Sequence, residues 1–210
     1  MNAAGPNHPP ATRCLRMAGS ALVLGGPALA LAYWAHPPSA PPETVASAAW
    51  IWIHVGFMVS LLAGVFGLTA LVTLYLRAEG RMLGVVGYGL GVLSLIFVFG
   101  LDYAEVFIFP VLATEFPAVV ETYGDGTMMP SVAFAFPLTG IAFVAGFLIL
   151  CNELRRAAVV PASTAWITML GVVVFGVGLS GFVPMIVVRL GATIFGLGLI
   201  LLGLAVRQRA

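Results

Sequence analysis

The sequence predicts an all-α membrane protein: a bundle of six transmembrane helices, both termini cytoplasmic, with a short amphipathic cap segment on the outer face. Three observations carry that prediction. Of the 210 residues, 61% are hydrophobic and only 8% charged, against roughly 25% charged in an ordinary soluble domain. The apolar residues gather into six long runs between charged or proline-rich stretches. Each run approaches the ~20 residues that a helix rising about 1.5 Å per residue needs to cross ~30 Å of hydrocarbon. All nine basic residues are arginine, and eight fall on one side of the membrane if each run crosses once.

The elements follow in chain order. Residues 1–12, rich in Pro, Asn and Ala, predict a disordered cytoplasmic tail, and residues 13–210 a single domain. The first helix is predicted over 17–35, behind Arg13 and Arg16, with Tyr33 and Trp34 as an interfacial anchor. The same stretch, with small residues at Ala28, Ala30 and Ala32, also fits a cleaved signal peptide. The aromatic anchor and the even number of spans favour an uncleaved helix. The second and third helices, over 49–76 and 82–109, exceed a minimal span and predict tilt or protruding ends. Arg77 and Arg81 join them.

Residues 110–121 follow as the cap. Pro110 interrupts the helical ladder, Glu115 and Glu121 favour water, and the stretch is too short for another crossing. It reads as a shield over the bundle or as a lid over a cavity below. The fourth helix, 131–152, meets the fifth, 163–182, at Arg155 and Arg156; a tight turn at Gly181 to Pro184 leads to the sixth, 185–206, and Arg207 and Arg209 end the chain. The positive-inside rule makes the arginine side cytoplasmic. Glu43, Asp102, Glu105, Glu115, Glu121 and Asp125 then lie at or near the outer side. Tyr75 and Trp166 read as interface anchors.

The 25 glycines concentrate inside the spans, and Gly87-x-x-x-Gly91 and Ala63-x-x-x-Gly67 have the spacing by which helices approach closely in lipid. Packing within the bundle is the favoured reading. A homo-oligomer or a membrane-protein partner held through these Gly-rich faces is the other. The order Leu15-Arg16-Met17-Ala18-Gly19, then His54 opening a Gly-rich helix that ends Leu74-Tyr75-Leu76-Arg77, then Tyr103-Ala104-Glu105 with Pro110 and Pro117, resembles small polytopic inner-membrane proteins of high-GC bacteria that carry a domain of unknown function. The resemblance implies a fold and a compartment, the bacterial plasma membrane, and no activity.

Composition also excludes. With no lysine and a net charge of +1, the chain lacks the basic surface that nucleic acid requires. Cys14 and Cys151 make neither a disulfide framework nor a metal pattern, and no phosphate loop, nucleophile elbow or His pair for haem is present, so no metal and no cofactor is predicted.

Ionisable residues inside spans remain the candidates for chemistry, since burying charge in hydrocarbon costs at least ~2.5–3.5 kcal/mol. His54, Asp102, Glu105 and Arg189 all fall roughly 27–35 Å from the arginine ends of their helices, near the outer boundary. Asp102 and Glu105, three apart, share a helix face. The expected role is an ion pair of Arg189 with one of these acids, or a snorkelling Arg189. His54 beside Trp50 and Trp52 fits an aromatic belt. The sharper alternative joins His54, Asp102 and Glu105 as acid, base or divalent-metal ligands, with Arg189 and Glu115 as ligand-binding candidates. The expected function is therefore a non-enzymatic membrane protein with the lipid bilayer as partner, acting as an accessory or assembly factor or binding a lipid-like ligand in its outer half. A membrane-embedded enzyme using the acidic and His residues is one rival. The other is a small transporter with a polar track through Ser60, Thr69, Ser94, Thr139 and Thr193.

Overall fold

The computed structural model describes residues 10–37, 40–78, 80–124, 129–180 and 182–210. Among these every regular element is helical: α1 (Pro10–Ala35), α2 (Pro42–Val45), α3 (Ala48–Ala78), α4 (Met82–Phe107), α5 (Phe109–Glu115), α6 (Pro117–Tyr123), α7 (Pro130–Arg156), α8 (Ala162–Gly178) and α9 (Met185–Arg209). Five stretches are long and apolar enough to cross a membrane: α1, α3, α4 with α5, α7 and α9. α8 is apolar but shorter, at 17 residues. Large apolar side chains such as Leu24, Phe66, Leu93, Phe134 and Leu170 point outward around the bundle, the belt expected of a protein whose solvent is lipid rather than water.

The six long helices form a closed up-and-down ring in the order α1, α3, α4, α7, α8, α9, with α9 packed back on α1. Small residues set the close contacts. Gly19 faces Gly203, and Gly26 faces Gly196, so a Cβ on Gly19 would stand 2.7 Å from the Gly203 carbonyl oxygen. The two pairs are spaced by seven residues in each helix, which keeps them on one stripe. Across the α8–α9 seam a glycine instead lies against a larger residue: Gly171 against Phe195, Gly191 against Phe175, Gly178 against Val188 and Gly198 against Thr168. The Gly87-x-x-x-Gly91 stripe meets Gly146 of α7, and Ala63 and Gly67 meet Gly25 and Leu22 of α1. These stripes are used inside the bundle.

Several boundaries differ from the sequence reading. α1 begins at Pro10, so residues 10–12, expected in the tail, are its first turn; proline suits that position because its missing N–H would have no partner there. The rest of the tail, residues 1–9, lies outside the described residues, as do Asp125 and Gly181. α7 continues to Arg156, which draws Glu153 into the bundle. α8 stops at Gly178, where Ser180 Oγ donates to the Val177 carbonyl at 2.6 Å, four residues before the expected end.

Residues 110–121, expected as a cap, fall in two short helices. The regular α4 geometry ends at Ile108 (φ −113°, ψ −54°), two residues ahead of Pro110, which offers no N–H to the carbonyl four residues back. A second break at Phe116 (φ −138°, ψ 59°) separates α5 from α6, just before Pro117. Both helices fold over a small separate core of Val45, Trp50, Ala113 and Val120. They shield the start of α3 and contribute nothing to the cavity described next.

Candidate ligand-binding site

Inside the ring, at the end away from the arginine loops, lies a cavity of about 790 Å³. All six long helices wall it: α1 with Leu29 and Tyr33, α3 from Phe57 to Gly64, α4 from Leu95 to Asp102, α7 from Phe136 to Leu148, and α8 and α9 with Phe175, Phe195 and Leu199. The α7 stretch alone spans about 18 Å of helix. Those wall residues that are also exposed, Phe136, Pro137, Ile141, Val173, Val177, Ser180 and Phe182, all belong to α7, α8 and the turn after α8. The mouth therefore lies between α7 and α8. These two helices touch where Gly176 meets Val144, and toward the exposed wall residues α7 carries Pro137, whose missing N–H weakens its ladder.

The wall is apolar and aromatic. Tyr33 packs on Phe57 (ring centroids 4.5 Å apart) and Phe175 (5.0 Å), and Phe143 meets Phe195 edge-on at 5.4 Å. One acid faces the cavity, Asp102, 8% exposed. Among the described residues its carboxyl accepts no hydrogen bond and meets no cation. The charged group that acts on it is Glu105, a second acid one turn further out.

The other expected site residues go elsewhere. Arg189 pairs with neither Asp102 nor Glu105, contrary to the expected ion pair. It turns to the C-terminal end of α1, where Nε donates to the Tyr33 carbonyl at 3.2 Å and Nη2 to the His36 carbonyl at 3.0 Å, and its guanidinium lies 5.6 Å from the Trp34 ring centre. A helix C-terminus presents unpaired carbonyls and partial negative charge, so the arginine gains partners without stripping water from a carboxylate. Trp34 in turn donates to Thr193 Oγ1 at 3.0 Å, one turn along α9. Glu115 is exposed on the cap.

His54 is 4% exposed and packs in an aromatic cluster, tilted against Trp50 (centroids 4.3 Å) and edge-on to His36 (5.4 Å). Its Nδ1 donates to the Trp50 carbonyl at 2.9 Å, and His36 Nδ1 donates to the Pro37 carbonyl at 2.7 Å. A carbonyl only accepts, so both rings carry their proton on Nδ1. Partial burial holds the His36 imidazole below its usual value; the Pro37 carbonyl opposes this and the Arg189 charge adds to it. Glu105 approaches the Trp50 indole without closing a hydrogen bond, and Nε1 stays buried and unpartnered. Among the described residues no three His, Cys, Asp or Glu side chains converge as a metal-binding group. Asp102 is thus the one candidate that reaches the cavity.

Sequence reasoning passed over a second polar cluster, at the arginine end. Tyr75, expected as an interface anchor, is wholly buried; its hydroxyl donates to Glu153 Oε2 at 3.0 Å, and Arg156 reaches Glu153 Oε1 at 3.3 Å. Glu153 and Arg156 stand three apart, a helical pair visible in the sequence once α7 is extended. Gly84 makes room for the Tyr75 ring, which a Cβ there would overlap. Trp166 is exposed as an anchor should be, and also takes the Arg155 guanidinium 5.2 Å over its ring. Thr69, Ser94, Thr139 and Thr193 bond backbone carbonyls of their own helices, whereas Ser60 bonds across to the Gly25 carbonyl of α1 at 2.9 Å. Comparison with protein-family models, with curated proteins and with solved structures finds no match to this chain.

Proposed function

We propose that this chain is a non-enzymatic integral protein of a bacterial plasma membrane that crosses six times with both termini cytoplasmic and holds a lipid-like ligand in the outer half of the bundle. The observation that carries the reading is the cavity: about 790 Å³, within the size range of ligand sites, almost wholly apolar, and opening sideways between α7 and α8 rather than only to water. A ligand with an apolar chain would enter from the bilayer without crossing a polar barrier. Six crossings follow from counting α8 with the five longer spans, since 17 residues reach the lower limit of about 17 for a transmembrane helix. The up-and-down ring then collects eight of the nine arginines at one end, the end that the positive-inside rule assigns to the cytoplasm.

Native mass spectrometry of the protein released from detergent tests the reading. Wild type should retain a bound amphiphile after gentle activation. Val98→Trp, which fills the cavity from α4, should lose it while keeping its helical circular dichroism. Equal retention by both proteins would place the amphiphile on the outer surface and remove the reading.

A further inference from the structure

The cavity that the proposed function assigns to a lipid-like ligand also says what kind of head that ligand carries, and the inference rests on that assignment. Asp102 is 8% exposed and lines the cavity. Its carboxyl has no hydrogen-bond donor and no cation among the described residues, although buried carboxylates are ordinarily paired. Arg189, the basic residue in the same half of the bundle, is turned away onto the carbonyls of Tyr33 and His36. No Arg or His side chain is among the residues that line the cavity, and the chain has no lysine.

The rest of the wall points the same way. Tyr33, Phe57, Phe143, Phe175 and Phe195 line the space near Asp102 and on into the bundle, in contact with one another at 4.5–6.1 Å between centroids. Aromatic faces carry negative potential and attract cations, more strongly where water is excluded. Glu105 places a second acid one turn outward. An anionic head, whether a fatty-acid carboxylate or a lipid phosphate, would meet this acid without any compensating donor. A positively charged head would supply the missing partner of Asp102 and leave its tail on apolar side chains.

We infer that the cavity takes a cationic amphiphile, a single ammonium group on an apolar chain, with the ammonium held at Asp102 within the Tyr33 and Phe57 rings and the chain running inward toward Leu199.

The test uses the full chain in nanodiscs of neutral phospholipid at pH 7 and three radiolabelled probes of one tail length, dodecylammonium, dodecanol and dodecanoate, in a scintillation proximity assay. Wild type should bind the ammonium at least tenfold more tightly than the alcohol, with the carboxylate weakest; this ordering needs no variant. Asp102→Asn keeps the shape and removes the charge. It should weaken ammonium binding roughly tenfold or more, the loss expected for a charge-assisted contact, and move alcohol binding little. Val98→Trp should abolish saturable binding of ammonium and alcohol alike, and Glu115→Gln on the cap should change neither. Alcohol binding that equals or exceeds ammonium binding in wild type, with loss of both in Val98→Trp, would overturn the cationic head and leave the apolar ligand site standing. So would ammonium binding that Asp102→Asn leaves unchanged. Absence of saturable binding for all three probes would overturn both readings.

Discussion

Arg189 illustrates how a charge near the membrane boundary chooses its partners. Two carboxylates stood within plausible reach by sequence height, yet the guanidinium caps α1 through the Tyr33 and His36 carbonyls and lies against Trp34. Hydrogen bonds from a charged donor contribute roughly 1.5–3 kcal/mol each, so Arg189→Ala should lower thermal stability in detergent clearly. Because no acid is its partner, the effect of neutralising Glu105 should be the same with and without Arg189, with no recovery specific to the double variant. A thermal-melt double-mutant cycle of Arg189→Ala with Glu105→Gln checks this, and a coupling well beyond the ~0.5 kcal/mol scatter of independent sites would contradict it. His36, just past the end of α1, offers a pH test. Its imidazole is held below the usual 6.5, first by burial, so below that pH the unfolded chain binds a proton that the folded chain resists. Stability from this group is therefore complete above its unfolded value and lost as pH falls toward the lowered folded value. Melting temperatures between about pH 7.5 and pH 5 should fall less steeply in His36→Gln than in wild type.

At the scale of elements, apolar length was legible: five of the predicted spans coincide with helices long and apolar enough to cross a membrane, and the other with the 17-residue α8. The boundaries were less so. Pro10 reads as loop from composition but serves as a first helical turn, and Glu153 reads as the end of a span but is buried because Tyr75, from another helix, supplies its donor. Partners drawn from elsewhere in the chain leave no local mark in the sequence. The same limit applies to the site: the height of Asp102 could be counted along α4, whereas the side it faces depends on how α4 packs among the other helices. The glycines lie between these cases. Their clustering was visible, and the structure supplies the pairing, Gly26 with Gly196 and Gly19 with Gly203. Gly196→Leu would set a Cβ 2.5 Å from the Gly26 carbonyl oxygen and should cost at least the ~1–3 kcal/mol of an overpacked core. Gly89→Leu, with no neighbour within 4 Å, should be close to neutral, and thermal melts of the two purified variants compare them directly.

The whole molecule is a ring whose chemistry is divided between its ends. One end carries the arginine loops and the buried Tyr75–Glu153–Arg156 cluster; the other carries Glu105, the packed rings of His36, Trp50 and His54, and the cavity with Asp102. The α5–α6 cap covers the Trp50 cluster and leaves the mouth between α7 and α8 free. Reporter fusions after Gly80, after Gly124 and at the C-terminus should read inside, outside and inside, and an outside signal after Gly80 would reverse the proposed orientation.

Occupancy of the ring's interior tests the central claim most directly. Crystals grown in a lipidic mesophase containing an alkylammonium with a bromine at the end of its tail would locate that tail by anomalous scattering. The proposal predicts a bromine peak enclosed by Phe143, Phe195 and Leu199, inward of Asp102. Bromine found only against the outward-facing side chains of the bundle, with the cavity empty or filled by water, would contradict it.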